Sequence, residues 1–240
     1  MPFRVVLDAN VGLAACLDPK MDAKAGLAAE VFRTLQEEEI RPAITESLRV
    51  EIETKTYQRV GQLLVAVRSL ANRPPTFPLD PNQEPSEVVE QIFASLRRET
   101  TGTAAALQIL EVRLAPVLEN APIANEASWK DLMSRIALEV TTILAEIQRR
   151  KDVLGLDLIT GAGKVDQERF RGLVPTPDLE HVAVLAALSE VRKILILFVT
   201  MDGVLHGIRD EVGKLAPGLV ITNPTFLGRQ IARTRRKNLP

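Results

Sequence analysis

The sequence predicts an α/β protein in which helices cover both faces of a parallel sheet and a mainly helical insertion interrupts the alternation. Short apolar runs alternate with helical segments at both ends of the 240-residue chain, as expected for parallel strands buried on both faces. In the middle, apolar residues instead recur every three to four positions, as in amphipathic helices. We therefore expect an α/β core over residues 1–62 and 174–240, and an insertion over residues 63–173.

The N-terminal part of the core begins with a strand. A β-branched run at residues 3–7 ends at Asp8-Ala9-Asn10, which indicates a buried strand followed by a turn. A helix is then expected over residues 23–38, a second short strand over residues 41–45 and a helix over residues 46–62.

The insertion begins with a proline-rich segment. Five prolines within residues 72–85 predict a loop, because proline removes a backbone donor and clashes inside a helix. Helical spacing then recurs over residues 86–98, 103–118 and 128–150. Residues 154–172 contain several glycines and are expected to be irregular.

The C-terminal part returns to alternating elements. We expect a helix over residues 179–192 and a strand over residues 194–200 that runs into Met201-Asp202-Gly203. A short helix, a strand and a final helix are expected over residues 205–215, 219–222 and 225–236.

The composition excludes several classes of protein. Thirty basic and 31 acidic residues give a net charge of −1, so the chain is not a polycation that coats nucleic acid. Aromatic residues are 4% of the chain, which argues against a stacking platform for single-stranded nucleic acid. One cysteine and two histidines argue against a Cys/His metal site. Any metal would be held by oxygen, which favours Mg²⁺ or Mn²⁺.

The apolar runs are short and the N-terminal residues are not typical of a signal peptide. The longest runs, residues 182–188 and 194–199, cannot span a bilayer. The opening Met-Pro-Phe-Arg-Val-Val-Leu-Asp has no apolar signal-peptide region. We therefore expect a cytoplasmic protein that does not interact with membranes.

Four carboxylates are expected at one edge of the sheet. Ligands of parallel α/β sheets bind outside the carboxyl ends of the strands, and Asp8 and Asp202 each follow a strand directly. Glu51 lies about two turns into the helix after the second strand, and Asp178 lies at the start of a helix. Such a cluster repels itself unless a divalent cation binds, so the sequence predicts a Mg²⁺ or Mn²⁺ site.

Each of these acids also has a simpler interpretation. Asp8 and Asp178 are favoured helix caps, Glu51 alone fits a solvated helix residue, and Asp202 before a glycine fits a turn. The joint order of the four favours a site over four unrelated roles.

The order of motifs extends beyond the acids. In chain order the motifs are Val5-Val6-Leu7-Asp8-Ala9-Asn10-Val11, Thr45 with Glu51, Asp178-Leu179-Glu180-His181-Val182, Phe198-Val199-Thr200-Met201-Asp202, and the closing Leu219-Val220-Ile221-Thr222-Asn223-Pro224-Thr225-Phe226-Leu227. Over residues 1–60 and 174–235 the chain resembles the PIN domain family of metal-dependent nucleases. The insertion has no counterpart in a minimal PIN domain, which makes the chain an enlarged, divergent member.

The resemblance implies hydrolysis of phosphodiester bonds in RNA, or less often DNA, with one or two divalent cations. It implies that Asp8, Glu51, Asp178 and Asp202 are the catalytic and metal-binding acids, with Glu180 as an alternative to Asp178. Two further roles are hypotheses, each beside an ordinary structural one. Thr200 would orient a water or a phosphate oxygen, or be a plain strand residue. Asn10 would hold Asp8, or be a plain turn residue.

Two other functions stand beside the nuclease. One is an inactive PIN-fold binding or scaffold protein whose insertion docks a protein partner or a second copy of the chain. The other is a phosphatase with Asp8 as nucleophile, although such enzymes usually carry a second aspartate where this chain has Asn10.

Two features near the C-terminal part remain open. His181 lies beside the third acid, but no second histidine supports it in a metal site. The basic segment, comprising Arg229, Arg233, Arg235, Arg236 and Lys237, either contacts an RNA or single-stranded DNA backbone or is a solvated terminus.

Overall fold

The described residues contain a five-stranded, all-parallel sheet, in the order β3-β2-β1-β4-β5. The computed structural model describes residues 2–16, 23–74, 85–99, 111–113 and 125–237. The strands are β1 (Phe3–Leu7), β2 (Ala43–Thr45), β3 (Asp157–Ile159), β4 (Leu195–Val199) and β5 (Leu219–Thr222). The predicted α/β class with a parallel sheet is confirmed.

Helices account for most of the other described residues. They are α1 (Ala9–Ala15), α2 (Ala23–Glu37), α3 (Glu46–Ala71), α4 (Pro85–Glu99), α5 (Glu126–Val153), α6 (Thr176–Arg192), α7 (Gly203–Gly207), α8 (Arg209–Leu215) and α9 (Leu227–Lys237), with 3-10 turns at Glu168–Phe170 and Pro224–Phe226. Most of the predicted helix 103–118, at residues 103–110 and 114–118, and residues 75–84 of the predicted loop lie outside the described residues. None of the described helices is both long and apolar enough to cross a membrane.

Alternation along β1 supplies a core on each face of the sheet. Val5 and Leu7 belong to one buried cluster, whose helical members come from α1, α2 and α9. Val6 belongs to the other cluster, which includes residues of α3 and α6. Helices therefore cover both faces of the sheet, and its polar side chains lie at the ends of the strands.

β3 differs from the expectation that residues 154–172 are irregular. Asp157–Ile159 pairs in parallel with β2 at one edge of the sheet. The strand is three residues long, and its central residue, Leu158, is 49% exposed. So short an edge strand has neither the apolar run nor the alternation by which a strand is predicted from sequence.

The chain divides into two compact units with bounds that differ from the predicted ones. The first unit comprises residues 1–53 and 150–240, and the second comprises residues 54–149. The first unit resumes earlier than residue 174 because β3 is a strand of its sheet.

The second unit has polar contacts of its own. The Trp129 indole donates to the Leu70 carbonyl over 3.2 Å. Arg113 pairs with Glu139 at 2.9 Å and with Glu146 at 2.5 Å.

Candidate functional site

Asp8 occupies the carboxyl end of β1, the central strand. Its side chain is buried, at 6% exposure. Oδ1 accepts a hydrogen bond from the Ala9 amide at 2.7 Å, which caps α1, so the helix begins where a turn was expected. Oδ2 accepts from Asn10 Nδ2 at 2.7 Å and from Thr200 Oγ1 at 2.6 Å. Asp8 is therefore a helix cap and, at the same time, a buried acid at the sheet edge.

Thr200 connects the ends of the two central strands. It is fully buried, and its hydroxyl donates to Asp8. The same oxygen accepts from the Asp202 amide at 2.9 Å and from Asn10 Nδ2 at 3.2 Å. One donated and two accepted bonds satisfy a hydroxyl completely. In this arrangement Thr200 holds Asp8 instead of facing a water or a phosphate.

Asn10 fixes the same connection from the other side. Its Oδ1 accepts from the Met201 amide at 3.1 Å, and its Nδ2 donates to Asp8. Because both ends of the amide are engaged, its orientation is determined. Asn10 lies in α1 and bridges two strand ends, which is more than a turn residue requires.

The surroundings of Asp8 disfavour its ionised form. Its pKa is raised from 3.8 to about 6, chiefly because burial penalises the charged form. The hydrogen bonds from Thr200 and Ala9 lower the pKa, and the negative charges of Glu51 and Asp178 raise it. Three of the four predicted acids are therefore within electrostatic reach of one another.

Glu51 forms an ion pair that the sequence did not reveal. Its Oε2 lies 2.8 Å from His181 Nε2, and both side chains are largely buried. The other ring nitrogen, Nδ1, lies 3.2 Å from Ser47 Oγ. Burial lowers the pKa of His181, but the hydrogen bond and charge of Glu51, with the charges of Asp8 and Glu180, outweigh it and raise the pKa above its usual value.

The remaining acidic candidates, Asp178, Glu180 and Asp202, lie in different surroundings. Asp178 is half-buried in the first turn of α6 and acts on the pKa of Asp8. Glu180 is exposed and acts on His181. Asp202 follows β4 at the same sheet edge as Asp8, but its Oδ1 caps α7 by accepting from Val204 and Leu205 amides at 2.7 and 3.0 Å.

The described side chains are not arranged as a preformed metal site. Among the described residues, no three His, Cys, Asp or Glu side chains are grouped closely enough to hold a metal ion. Glu51 is engaged by His181, and one oxygen of Asp202 is engaged by its cap. The donor chemistry suits Mg²⁺ or Mn²⁺ because the acids supply only oxygen. Binding would require at least Glu51 to change partner.

The basic segment at the C-terminus is an ordered helix with two different faces. Leu227, Ile231 and Thr234 of α9 are buried. Arg235 pairs with Glu38 and donates to the Glu38 carbonyl at 2.8 Å, so it is occupied within the protein. The arginines at positions 229, 233 and 236 line an open depression instead. Lys237 ends the helix. Among the described residues, Arg235 therefore differs from these three arginines in having an acidic partner within the protein.

The comparisons with known proteins found no significant match to this chain. No family model matches the sequence, no curated protein is significantly similar to it, and no solved structure matches its fold significantly.

Sequence reasoning did not predict the contacts that His181 makes with Ser47 and Glu51. Ser47 and Glu51 are four residues apart on α3, so they lie on one helical face. A side chain packed on that face touches both, as His181 does. The spacing was visible in the sequence, but the packing of α6 that delivers the histidine was not.

Proposed function

We propose that this chain is a divalent-cation-dependent nuclease of the PIN type that hydrolyses RNA. One observation carries the proposal. A buried aspartate at the end of the central strand, Asp8, has a pKa raised to about 6 and lies within the electrostatic reach of Glu51 and Asp178. Such mutual repulsion of carboxylates is typical of a site that binds a cation. The motifs around these acids are the ones that resemble the PIN family.

The residues that would hold the cation are Asp8, Glu51 and Asp178, with Asp202 at the same sheet edge. A bound Mg²⁺ or Mn²⁺ supplies a water of lowered pKa and offsets charge on the phosphate. Thr200 and Asn10 orient the Asp8 carboxylate through their 2.6 and 2.7 Å hydrogen bonds. His181 holds Glu51 Oε2 at 2.8 Å.

Cleavage of a labelled RNA tests the proposal. The purified protein is incubated with mixed-sequence RNA and single-stranded DNA in Mn²⁺, in Mg²⁺ and in EDTA. We expect cleavage of RNA in the metals alone, and its loss in Asp8→Asn and Asp202→Asn. Asp131→Asn removes an acid that pairs with Arg135 on the exposed side of α5, and serves as the matched control. Cleavage that persists in EDTA or in Asp8→Asn would contradict the proposal.

A second candidate is a catalytically inactive PIN-fold protein that binds a partner through its insertion. It is favoured by the engagement of Glu51 with His181 and by the lack of a grouped metal cage among the described side chains. Titration with Mn²⁺ separates the nuclease from this candidate, because an inactive protein of this kind has no need to bind Mn²⁺ through Asp8.

A further inference from the structure

The free edge of β5 borders a large cavity. β5 pairs with β4 on one side only, as the last strand of the sheet. A cavity of about 710 Å³ extends along its other side, between α8 and α9. Leu219, Val220 and Ile221 of the strand form part of its wall. The cavity therefore follows the direction of an extended chain.

Three cationic side chains and one acid line this cavity, among mainly uncharged residues. Arg209 and Lys214 come from α8, and Arg233 comes from α9. The one acid in the lining, Asp210, lies 3.7 Å from the Arg209 Nε. No carboxylate of the described residues pairs with Lys214 or Arg233.

Two smaller cavities share lining residues with the first one. A cavity of about 420 Å³ is lined by the arginines of α9 at positions 229, 233 and 236, and it shares Arg233 with the large cavity. A cavity of about 210 Å³ shares Arg209 and Gln230 with it and reaches Thr222 at the carboxyl end of β5. We call the three together the β5 groove.

The β5 groove begins beside the candidate site. The Thr222 carbonyl accepts from the Thr200 amide at 3.0 Å, and the Thr200 hydroxyl holds Asp8. Thr222, which lines one end of the groove, is thus bonded through its backbone to the residue that holds Asp8.

We propose that the β5 groove binds the phosphate backbone of single-stranded RNA and leads it to the sheet edge that holds Asp8. The inference rests on the proposed nuclease function. A row of cations recognises a polyanion through its phosphates, without regard to sequence. The groove offers one exposed aromatic ring, Phe226, over which Arg229 lies at 5.7 Å, so base stacking is secondary to phosphate contact.

Fluorescence anisotropy with a labelled 12-nucleotide RNA in EDTA tests the groove without catalysis. Arg229→Ala, Arg233→Ala and Arg236→Ala are combined in one variant. Arg33→Ala, Arg135→Ala and Arg171→Ala are combined in the control, because these arginines are exposed and, among the described residues, each pairs with an acid three or four positions before it. A poly-glutamate peptide of the same length is the competitor.

For single strands, each lost phosphate contact lowers the slope of log K against log salt by about 0.7, so three lost contacts lower it by about 2. We expect the triple variant to lose about a hundredfold in affinity at 0.1 M salt and almost nothing at 1 M, with the control unchanged. Equal binding by both variants, a loss that persists at 1 M salt, or equal competition by poly-glutamate would overturn the inference.

The binding assay and the cleavage assay together separate this inference from the proposed nuclease function. If the wild type cleaves RNA in Mn²⁺ but the triple variant binds normally, the groove is wrong and the nuclease stands. If the groove binds RNA but no RNA is cleaved in any metal, the nuclease is wrong and the groove is an RNA-binding surface. Thermal melts of the triple variant verify that α9 remains folded.

Discussion

Replacing Asp8 by asparagine should change how the stability of the protein depends on pH. The folded protein raises the pKa of Asp8 from 3.8 to about 6, so it holds the proton more tightly than the unfolded chain. The stability contributed by the protonated group is complete below pH 3.8 and is lost as the pH rises through 6. Full ionisation costs about 3 kcal/mol, of which about 2.5 kcal/mol falls between pH 4 and pH 7.

Asparagine has nearly the same shape and cannot ionise. It also replaces one acceptor oxygen by an amino group, which then faces the Ala9 amide or Asn10 Nδ2, both of them donors. That mismatch costs about 1–3 kcal/mol at every pH. We therefore expect Asp8→Asn to be less stable than the wild type at pH 4 and to gain on it by about 2.5 kcal/mol by pH 7.

Urea unfolding in EDTA, repeated from pH 4 to pH 7, measures this difference. Asp131→Asn, an exposed acid-to-amide change that leaves Asp8 intact, is the control. A flat curve for Asp8→Asn, or one in which the variant loses stability relative to the wild type as the pH rises, would refute the account of Asp8 as a buried, repelled carboxylate.

Two further predictions concern the groups around Asp8. Thr200→Val should destabilise the protein by about 1–3 kcal/mol and raise the pKa of Asp8 further, because a stabilising hydrogen bond is lost; thermal melts should show that Thr200→Ser restores most of the stability, and an equally stable valine variant would contradict the geometry. Glu51→Gln should lower the pKa of His181, because the negative charge of Glu51, which opposes the effect of burial, is removed. An NMR titration of the two histidines tests this, with His206 as internal reference, and an unchanged His181 would show that the pair does not form.

The sheet was largely predictable because β1, β4 and β5 contain short apolar runs, most of whose residues are buried. The rule that ligands lie beyond the carboxyl ends of parallel strands placed Asp8 and Asp202 at the same end of the sheet. β3 escaped prediction because three residues at a sheet edge give no periodic signal.

The side-chain partnerships were less predictable because they depend on tertiary packing. The pairing of Glu51 with His181 joins residues on α3 and α6. The pairing of Arg235 with Glu38 joins α9 to the end of α2. Helical spacing indicates which face of each helix is buried but not which helix lies against it.

A calorimetric titration with Mn²⁺ tests the central claim most directly, because it measures cation binding without any assumption about substrate. We expect saturable binding to the wild type, and at least about tenfold weaker binding to Asp8→Asn, as the loss of a ligand requires. Asp131→Asn should bind like the wild type. If the wild type shows no saturable binding, or if Asp8→Asn binds Mn²⁺ as tightly as the wild type does, the acids at this sheet edge are not a metal site.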